Sequence, residues 1–467
     1  MFAGKKSAQI REILISESAW EEMTCLFAPS LKLVVIGAGS SYTPELIEGV
    51  IKNYHQLPIS HIAFVDVEMG KEKMNIIFDL TKRMLAKANL PIDVIQTFDR
   101  KTALLGADFV VTQLRVGGID ARIVDEKLPK SYGFIGQETN GAGGMFKALR
   151  TIPVIIEIAN EMKAICPNAW LINFTNPASM VTEAVLKYSH NNRVIGLCNG
   201  PVNMTHQVAG LLNANVEDLY VEFKGSNHMN FITKILHNGV DRTREAIEII
   251  NAADVDALSF KNISNEQFNK ELLAAANLIP SSYLKYYLKT TEMLAEQEAA
   301  EQSRGEIVKN IEAELFKKYS DVTLQDKPKE LEARGGALYS TAALNVIRAI
   351  YLDDKSIQTV NVRNGGAITN LPEEAVVEVN CVLTRNGPIP ICTGEIPSPA
   401  KGIVSMMKDY EALIVKAAAT GDYQALISGF IFNPLCSSDT SGVALVKEML
   451  LANKKYLPLF AKKIESL

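Results

Sequence analysis

Cys198 ends an apolar run, Arg193-Val194-Ile195-Gly196-Leu197-Cys198, and Asn199-Gly200-Pro201 follows it directly. Thirty residues further on stands Gly225-Ser226-Asn227-His228, holding one of the six histidines of the chain. A β-branched run of this kind reads as a buried strand, and such strands often carry a cysteine with no chemical role. Here the thiol sits at the carboxyl end of the strand, where open α/β sheets place their ligands. Taken alone, Cys198 and His228 are either two packed side chains or two ligands of one metal ion.

A second constellation lies nearer the start. Leu31-Lys32-Leu33-Val34-Val35-Ile36 reads as a buried strand, and Gly37-Ala38-Gly39-Ser40-Ser41-Tyr42 follows it. Thr43-Pro44-Glu45 then supplies the hydroxyl cap, first-turn proline and early acid of a helix start. Strand, glycine turn and helix in that order is the context of a dinucleotide site. Gly37 would permit the tight turn and Gly39 the close approach of a pyrophosphate, with Ser40 and Ser41 completing the cofactor-binding set. Tyr42 stands where the third glycine of the fingerprint would be. A second strand, 61–67, carries Asp66, 29 residues after Gly37 and placed to accept hydrogen bonds from a ribose diol. That acid favours NAD over NADP, because a 2′-phosphate would meet like charge. The plainer reading is an ordinary crossover with no nucleotide.

The elements that must position these residues alternate. Segments 92–98, 107–115, 169–174 and 193–198 read as strands and 145–165 as a helix, which implies a Rossmann-type, doubly wound parallel sheet. Polar residues gather where the strands end: Arg115, then Asn173 and Asn176, then Cys198 and Asn199. A substrate site beside a nicotinamide would have this appearance. The second half is a mixed α+β domain. A strand pair at 219–225 and 230–239 is expected to extend the sheet, and helices are expected near 244–252, 265–278, 284–318 and 334–350. Short strands near 357–364 and 374–385 and terminal helices from about residue 400 complete it. The lysine- and glutamate-rich stretch from Glu292 to Lys318 reads as one long solvated helix, and Arg334-Gly335-Gly336 as a turn. The expected division is an extension at 1–30, an NAD-binding domain at 31–215 and a substrate, metal and assembly domain at 216–467.

Composition agrees with this frame. A chain of 467 residues exceeds one ordinary core. A net charge of −5 argues against nucleic-acid and anionic-membrane partners, and no apolar run reaches the roughly 18–20 residues that span a bilayer. Residues 1–30 mix charges of both signs and hold no compact signal core. The six cysteines are scattered without a CxxC pair, so reduced thiols in a cytoplasm are expected.

The ordered motifs resemble those of glycoside hydrolase family 4. They are Gly37 to Pro44, Arg115-Val116-Gly117-Gly118, Ile135-Gly136-Gln137-Glu138-Thr139, Asn173-Phe174-Thr175-Asn176-Pro177, Cys198-Asn199-Gly200-Pro201 and Asn227-His228. The resemblance runs from about Leu31 to the C-terminus. It implies a fold similar to lactate and malate dehydrogenases, NAD⁺ and a divalent metal, usually Mn²⁺. Cys-Asn-x-Pro looks like the 6-phospho-β-glucosidase branch. The resemblance also implies that Cys198 and His228 hold the metal, and two protein ligands leave positions open for sugar hydroxyls and water. Thiolate is a soft partner for Mn²⁺, so affinity should be modest and the thiol prone to oxidation.

Most glycosidases use two carboxylates, and this family is an exception. The implied route is oxidation at C3 of the sugar, proton removal at C2, elimination of the aglycone, addition of water and return of the hydride. The implied base is Tyr283 in Pro280-Ser281-Ser282-Tyr283-Leu284-Lys285-Tyr286-Tyr287, with Tyr286 and Tyr287 as neighbouring alternatives. A phenol is a poor base at neutral pH unless a nearby cation lowers its pKa. Arg115, Asn176, Asn199 and Arg304 match substrate-binding positions, and guanidinium groups suit a phosphate. A charged helix makes a surface ion pair the plainer reading of Arg304. The expected partner is a phosphorylated β-glucoside such as cellobiose 6-phosphate, and the expected assembly a homodimer or homotetramer. Other branches of the family, a 2-hydroxy-acid dehydrogenase and a catalytically silent NAD-binding sensor are the competing readings.

Overall fold

The computed structural model describes residues 31–467 apart from 254–256, 259, 261–262 and 336–337. The expected N-terminal extension, 1–30, lies outside the described residues. Strands β1 (Leu31–Ile36), β2 (Ile59–Val65), β3 (Asp93–Thr97), β4 (Phe109–Thr112), β5 (Trp170–Asn173) and β6 (Val194–Gly196) pair in parallel in the order β3-β2-β1-β4-β5-β6. That is the doubly wound dinucleotide-binding order, whose direction reverses between β1 and β4. Parallel strands of this kind are covered by helices on both faces, which is why β4 and β5 are buried along their whole length.

The second half departs from expectation in two places. The strand pair β7 (Leu219–Ser226) and β8 (Met229–His237) does not extend the main sheet. With β9 (Val240–Asp241) and β10 (Ile279–Pro280) it forms a sheet of its own with a small separate core. The strands that do extend the main sheet are β11 (Ile357–Arg363), β12 (Val376–Thr384) and β13 (Gly387–Pro390), added antiparallel beyond β6. Helices 339–352 and 398–420 also pack onto helices of the first half, so one core runs from Leu31 to Phe460.

The stretch Glu292–Lys318 is not one helix. It breaks between Thr290–Ala299 and Arg304–Tyr319, where Ser303 accepts from the Glu306 amide and Glu306 accepts from the Ser303 amide. This capping box satisfies amide groups that a continuous helix would have paired internally, and it sets Arg304 on the first turn. Sequence reading of charge density missed it because Ser-Arg-Gly-Glu looks like any solvated helix segment. The hydroxyl expected to cap helix Thr43–Asn53 also acts differently. Tyr42 occupies the cap position, and Thr43 Oγ1 donates to Ala38 O at 2.8 Å, closing the glycine loop on itself.

Candidate active site

A cleft of about 1290 Å³ opens at the carboxyl ends of β1, β4, β5 and β6. Gly37, Gly39, Ser40, Ser41 and Asp66 line one end, and Arg115, Asn176, Cys198, Asn199, Tyr283 and Arg304 line the other. Eleven of the twelve residues singled out above therefore meet in one space, although they are drawn from both halves of the chain. His228, the twelfth, lies directly behind Tyr283.

At the glycine loop, Gly37 has φ +87°, and a Cβ there would stand 2.9 Å from the backbone of Leu114. Only glycine fits both the angle and the approach. The Gly39 amide donates to Asp66 Oδ2 at 2.7 Å, and the Val67 amide donates to Asp66 Oδ1 at 2.8 Å. Two amides thus fix the carboxylate beside the loop, while burial pushes its pKa up. Ser41 behaves differently from Ser40: its hydroxyl turns away to Glu312 Oε1 at 3.1 Å. Tyr42, in place of a third glycine, ties the loop to the second half. Its ring stacks on Tyr339, the Arg334 guanidinium lies 4.5 Å from its centroid, and its hydroxyl donates to Gly335 O. Arg334 is in turn held by Glu312 at 2.7 Å.

At the other end, Cys198 Sγ lies 3.7 Å from His228 Nε2. His228 occupies the two-residue turn between β7 and β8 with φ +63°, a left-handed conformation uncommon for residues other than glycine. Burial pushes His228 down to about 3, with Lys147 adding to the effect, so the imidazole is neutral as a ligand must be. Burial pushes the Cys198 thiol up to about 12, and the Glu378 carboxylate adds to the rise. With the bond lengths of a tetrahedral Zn²⁺ site, about 2.3 Å to sulfur and 2.0–2.1 Å to nitrogen, two ligand atoms lie about 3.5 Å apart. The observed spacing and the sulfur–nitrogen donor set fit one divalent ion. Among the described residues no cluster of three or more His, Cys, Asp or Glu is poised for a metal.

Tyr283 stacks on His228 with centroids 3.7 Å apart and planes within 8°. Tyr286 is buried with its hydroxyl pKa raised by desolvation, and the Tyr287 hydroxyl is buried with no partner among the described residues. Neither lines the cleft, which separates Tyr283 from its two neighbours in sequence.

The cations divide sharply. Glu138 accepts from Arg115, from Arg122 at 2.9 Å and from Lys147 at 3.0 Å. Its carboxyl is held well below the usual range by these charges against the effect of burial. Burial and the neighbouring Arg115 push Lys147 down to about 7 despite Glu138. Arg304 has no carboxylate partner among the described residues. Its Nη2 donates to the carbonyls of Ala333 and Arg334 at 3.4 and 3.2 Å, and its Nε is buried without a partner. The surface ion pair that its sequence suggests is absent among the described residues.

Sequence reading did not single out Glu138, Arg122, Lys147, Glu312, Arg334 or Glu378. Glu138 stood inside one of the quoted motifs, and Arg334 inside a quoted turn. Apart from the Arg122–Glu126 pair within one helix, their partners lie on other elements and left no local signal.

The fold and the cleft define a dinucleotide-binding α/β protein with a thiol–imidazole donor pair and a phenol at its substrate end. The chain belongs to glycosyl hydrolase family 4: the family 4 glycosyl hydrolase model matches residues 32–214, and the model of the family's C-terminal domain matches 223–436. It is 49% identical over 439 residues to a probable 6-phospho-β-glucosidase of Bacillus subtilis (strain 168), covering 93% of this chain and 99% of that protein. It is 46% identical over 444 residues to a 6-phospho-β-glucosidase of Escherichia coli (strain K12), covering 94% of this chain and 98% of the other. A similar solved structure is the 6-phospho-β-glucosidase of Thermotoga maritima with manganese, NAD⁺ and glucose 6-phosphate. Its TM-score is 0.84 at 34% identity, covering 91% of this chain and 99% of that one.

Proposed function

We propose that the chain hydrolyses 6-phospho-β-glucosides, such as cellobiose 6-phosphate, to glucose 6-phosphate and an aglycone, with NAD⁺ and Mn²⁺ as cofactors. The observation that carries this reading is that the glycine loop, Cys198, Tyr283 and Arg304 all face one cleft. The 46–49% identity to relatives named for this activity over almost their whole length supports the choice of sugar. Bound NAD⁺ supplies a hydride acceptor, and bound Mn²⁺ a Lewis acid for neighbouring sugar oxygens.

The chain's own residues do the rest. Gly37, Gly39 and Ser40 take the cofactor pyrophosphate at close backbone approach, and Asp66 takes the ribose diol. The Ser41 hydroxyl is engaged with Glu312, so Ser41 contributes backbone to the cofactor and its side chain to holding the loop. Cys198 and His228 hold the metal ion. Tyr283 Oη removes the proton at C2. Asn176 and Asn199 orient the sugar. Asn199 is an amide and cannot protonate the leaving group, so departure of the aglycone relies on elimination.

Arg304 has no carboxylate ion pair among the described residues, which leaves it capacity for a phosphate dianion, whereas Arg115, Arg122 and Lys147 share Glu138 and Arg334 is paired with Glu312. Charged sugars do not cross membranes unaided, and the five described cysteines are free, which supports a cytoplasmic setting. The assembly proposed is a homodimer or homotetramer; Phe432, 70% exposed, is the kind of surface side chain such a contact would cover.

Cleavage of p-nitrophenyl β-glucoside 6-phosphate tests the reading. Activity is expected only with NAD⁺ and Mn²⁺ both present, with the α-anomer and the unphosphorylated glucoside far poorer. Equal kcat/KM for the neutral glucoside would overturn the phosphosugar assignment.

A further inference from the structure

Behind the thiol–imidazole pair lies Glu378, on β12 and only 1% exposed. It accepts three side-chain amides, from Asn227 at 3.1 Å, from Asn361 at 2.8 Å and from Asn230. Asn227 and Asn230 bracket His228 in sequence, one before it and one two residues after. Asn361 pairs across strands with Glu378 on one side and with Gly196 on the other, two residues before Cys198. One carboxylate thus joins the turn that carries His228 to the strand that carries Cys198.

The arrangement is costly for a carboxylate with a purely structural role. Among the described residues no cation pairs with Glu378, and burial pushes its carboxyl up to about 7 against the three amide hydrogen bonds, so its ionised form lacks a counterion. A buried charge without a counterion is unfavourable unless something nearby offsets it. A divalent cation held between Cys198 and His228 would supply the missing positive charge.

We propose that Glu378 is a positioning residue for the metal site: it fixes the Cys198–His228 spacing through Asn227, Asn230 and Asn361, and its charge raises the affinity for a divalent cation. This rests on the reading that Cys198 and His228 hold that cation. The left-handed turn at His228, φ +63°, is what the clamp must hold, since few residues other than glycine adopt it. Glutamine at 378 would keep the shape but lose the charge, and its amide would face an asparagine amide donor to donor.

Mn²⁺ titration of the full chain without NAD⁺ or substrate, followed by the electron paramagnetic resonance of free Mn²⁺, tests the proposal. Glu378→Gln is expected to weaken binding about 10- to 100-fold, the usual effect of removing a group that orients a metal ligand. Glu378→Asp should recover part of the loss. NAD⁺ affinity should stay unchanged in both, and kcat of Glu378→Gln should recover substantially at saturating Mn²⁺. Unchanged Mn²⁺ affinity in Glu378→Gln with intact NAD⁺ binding overturns the proposal. If that variant does not fold, Asn361→Ser replaces it, because serine cannot reach both Glu378 and the Gly196 carbonyl. Several-fold weaker Mn²⁺ binding in Asn361→Ser supports the clamp, and wild-type affinity overturns it. Cys198→Ser separates the two levels. Wild-type Mn²⁺ affinity in that variant removes the metal-site reading itself, and the role of Glu378 with it.

Discussion

Replacing Arg304 by methionine should cost activity and leave stability intact or improved. The guanidinium contributes little to the fold: its two contacts are backbone carbonyls at 3.4 and 3.2 Å, both at the long end of hydrogen bonding. Its Nε is buried and unpaired among the described residues, and burial, together with the charges of Arg122 and Arg334, pushes its pKa down although Tyr42 and Glu126 oppose them. Methionine retains most of the stem's packing and removes an uncompensated cation. The thermal midpoint should therefore hold or rise slightly. Function should move the other way. A charge-assisted hydrogen bond contributes about 1.5–3 kcal/mol, so losing one or two from a phosphate costs about 1.5–6 kcal/mol, or about 10- to 10,000-fold in kcat/KM. Two assays check this: kcat/KM on p-nitrophenyl β-glucoside 6-phosphate, and competitive inhibition by glucose 6-phosphate against glucose. Inhibition by glucose 6-phosphate should weaken by a similar factor, while glucose remains a poor inhibitor throughout. Two results would refute the reasoning. An unchanged inhibition constant for glucose 6-phosphate places the phosphate elsewhere, and a midpoint lower by several degrees makes Arg304 a structural cation.

Tyr283→Phe should retain NAD⁺ and Mn²⁺ affinity while kcat falls by at least two decades, and product formed by the wild-type enzyme in D₂O should carry deuterium at C2; product without label at C2 would remove Tyr283 as base. Gly37→Ala should weaken NAD⁺ binding strongly, because the new Cβ meets backbone at 2.9 Å in a left-handed conformation, and fluorescence titration of the cofactor reads it. Glu312→Gln tests the acid side of stability. The Arg334 and Lys73 charges hold the Glu312 carboxyl down to about 2 although burial opposes them. A depressed carboxyl stabilises the fold fully above its unfolded value of 4.5 and loses that contribution as pH falls through about 2. The contribution is about 3 kcal/mol, so wild type minus Glu312→Gln should show a stability difference of that order at pH 7 that shrinks between pH 4.5 and 2. A difference constant over that range in denaturant unfolding refutes the assignment.

The sequence alone determined the local pieces. Strand β1, the turn at Gly37 and Gly39, the acid at the end of the second strand and the strand that ends at Cys198 were all legible. Each is written in neighbouring residues as β-branched runs and a residue that only one backbone angle admits. Six motifs in order also sufficed to name the family. Tertiary structure decided which distant residues meet. Arg304 became a cleft cation because a capping box breaks its helix and the cleft buries its Nε away from any described carboxylate. Glu138 gathered three cations from three places, and Tyr283 was separated from Tyr286 and Tyr287 by the direction each ring takes from one short turn. Strands β11 to β13 joined the main sheet while β7 and β8, more strand-like in pattern, left it. The ion pairs and the sheet edges share one physical reason. Period and turn chemistry act over a few residues and leave a trace in sequence, whereas ion pairs and sheet edges form between residues tens to hundreds apart, where only packing of the whole chain selects the partner.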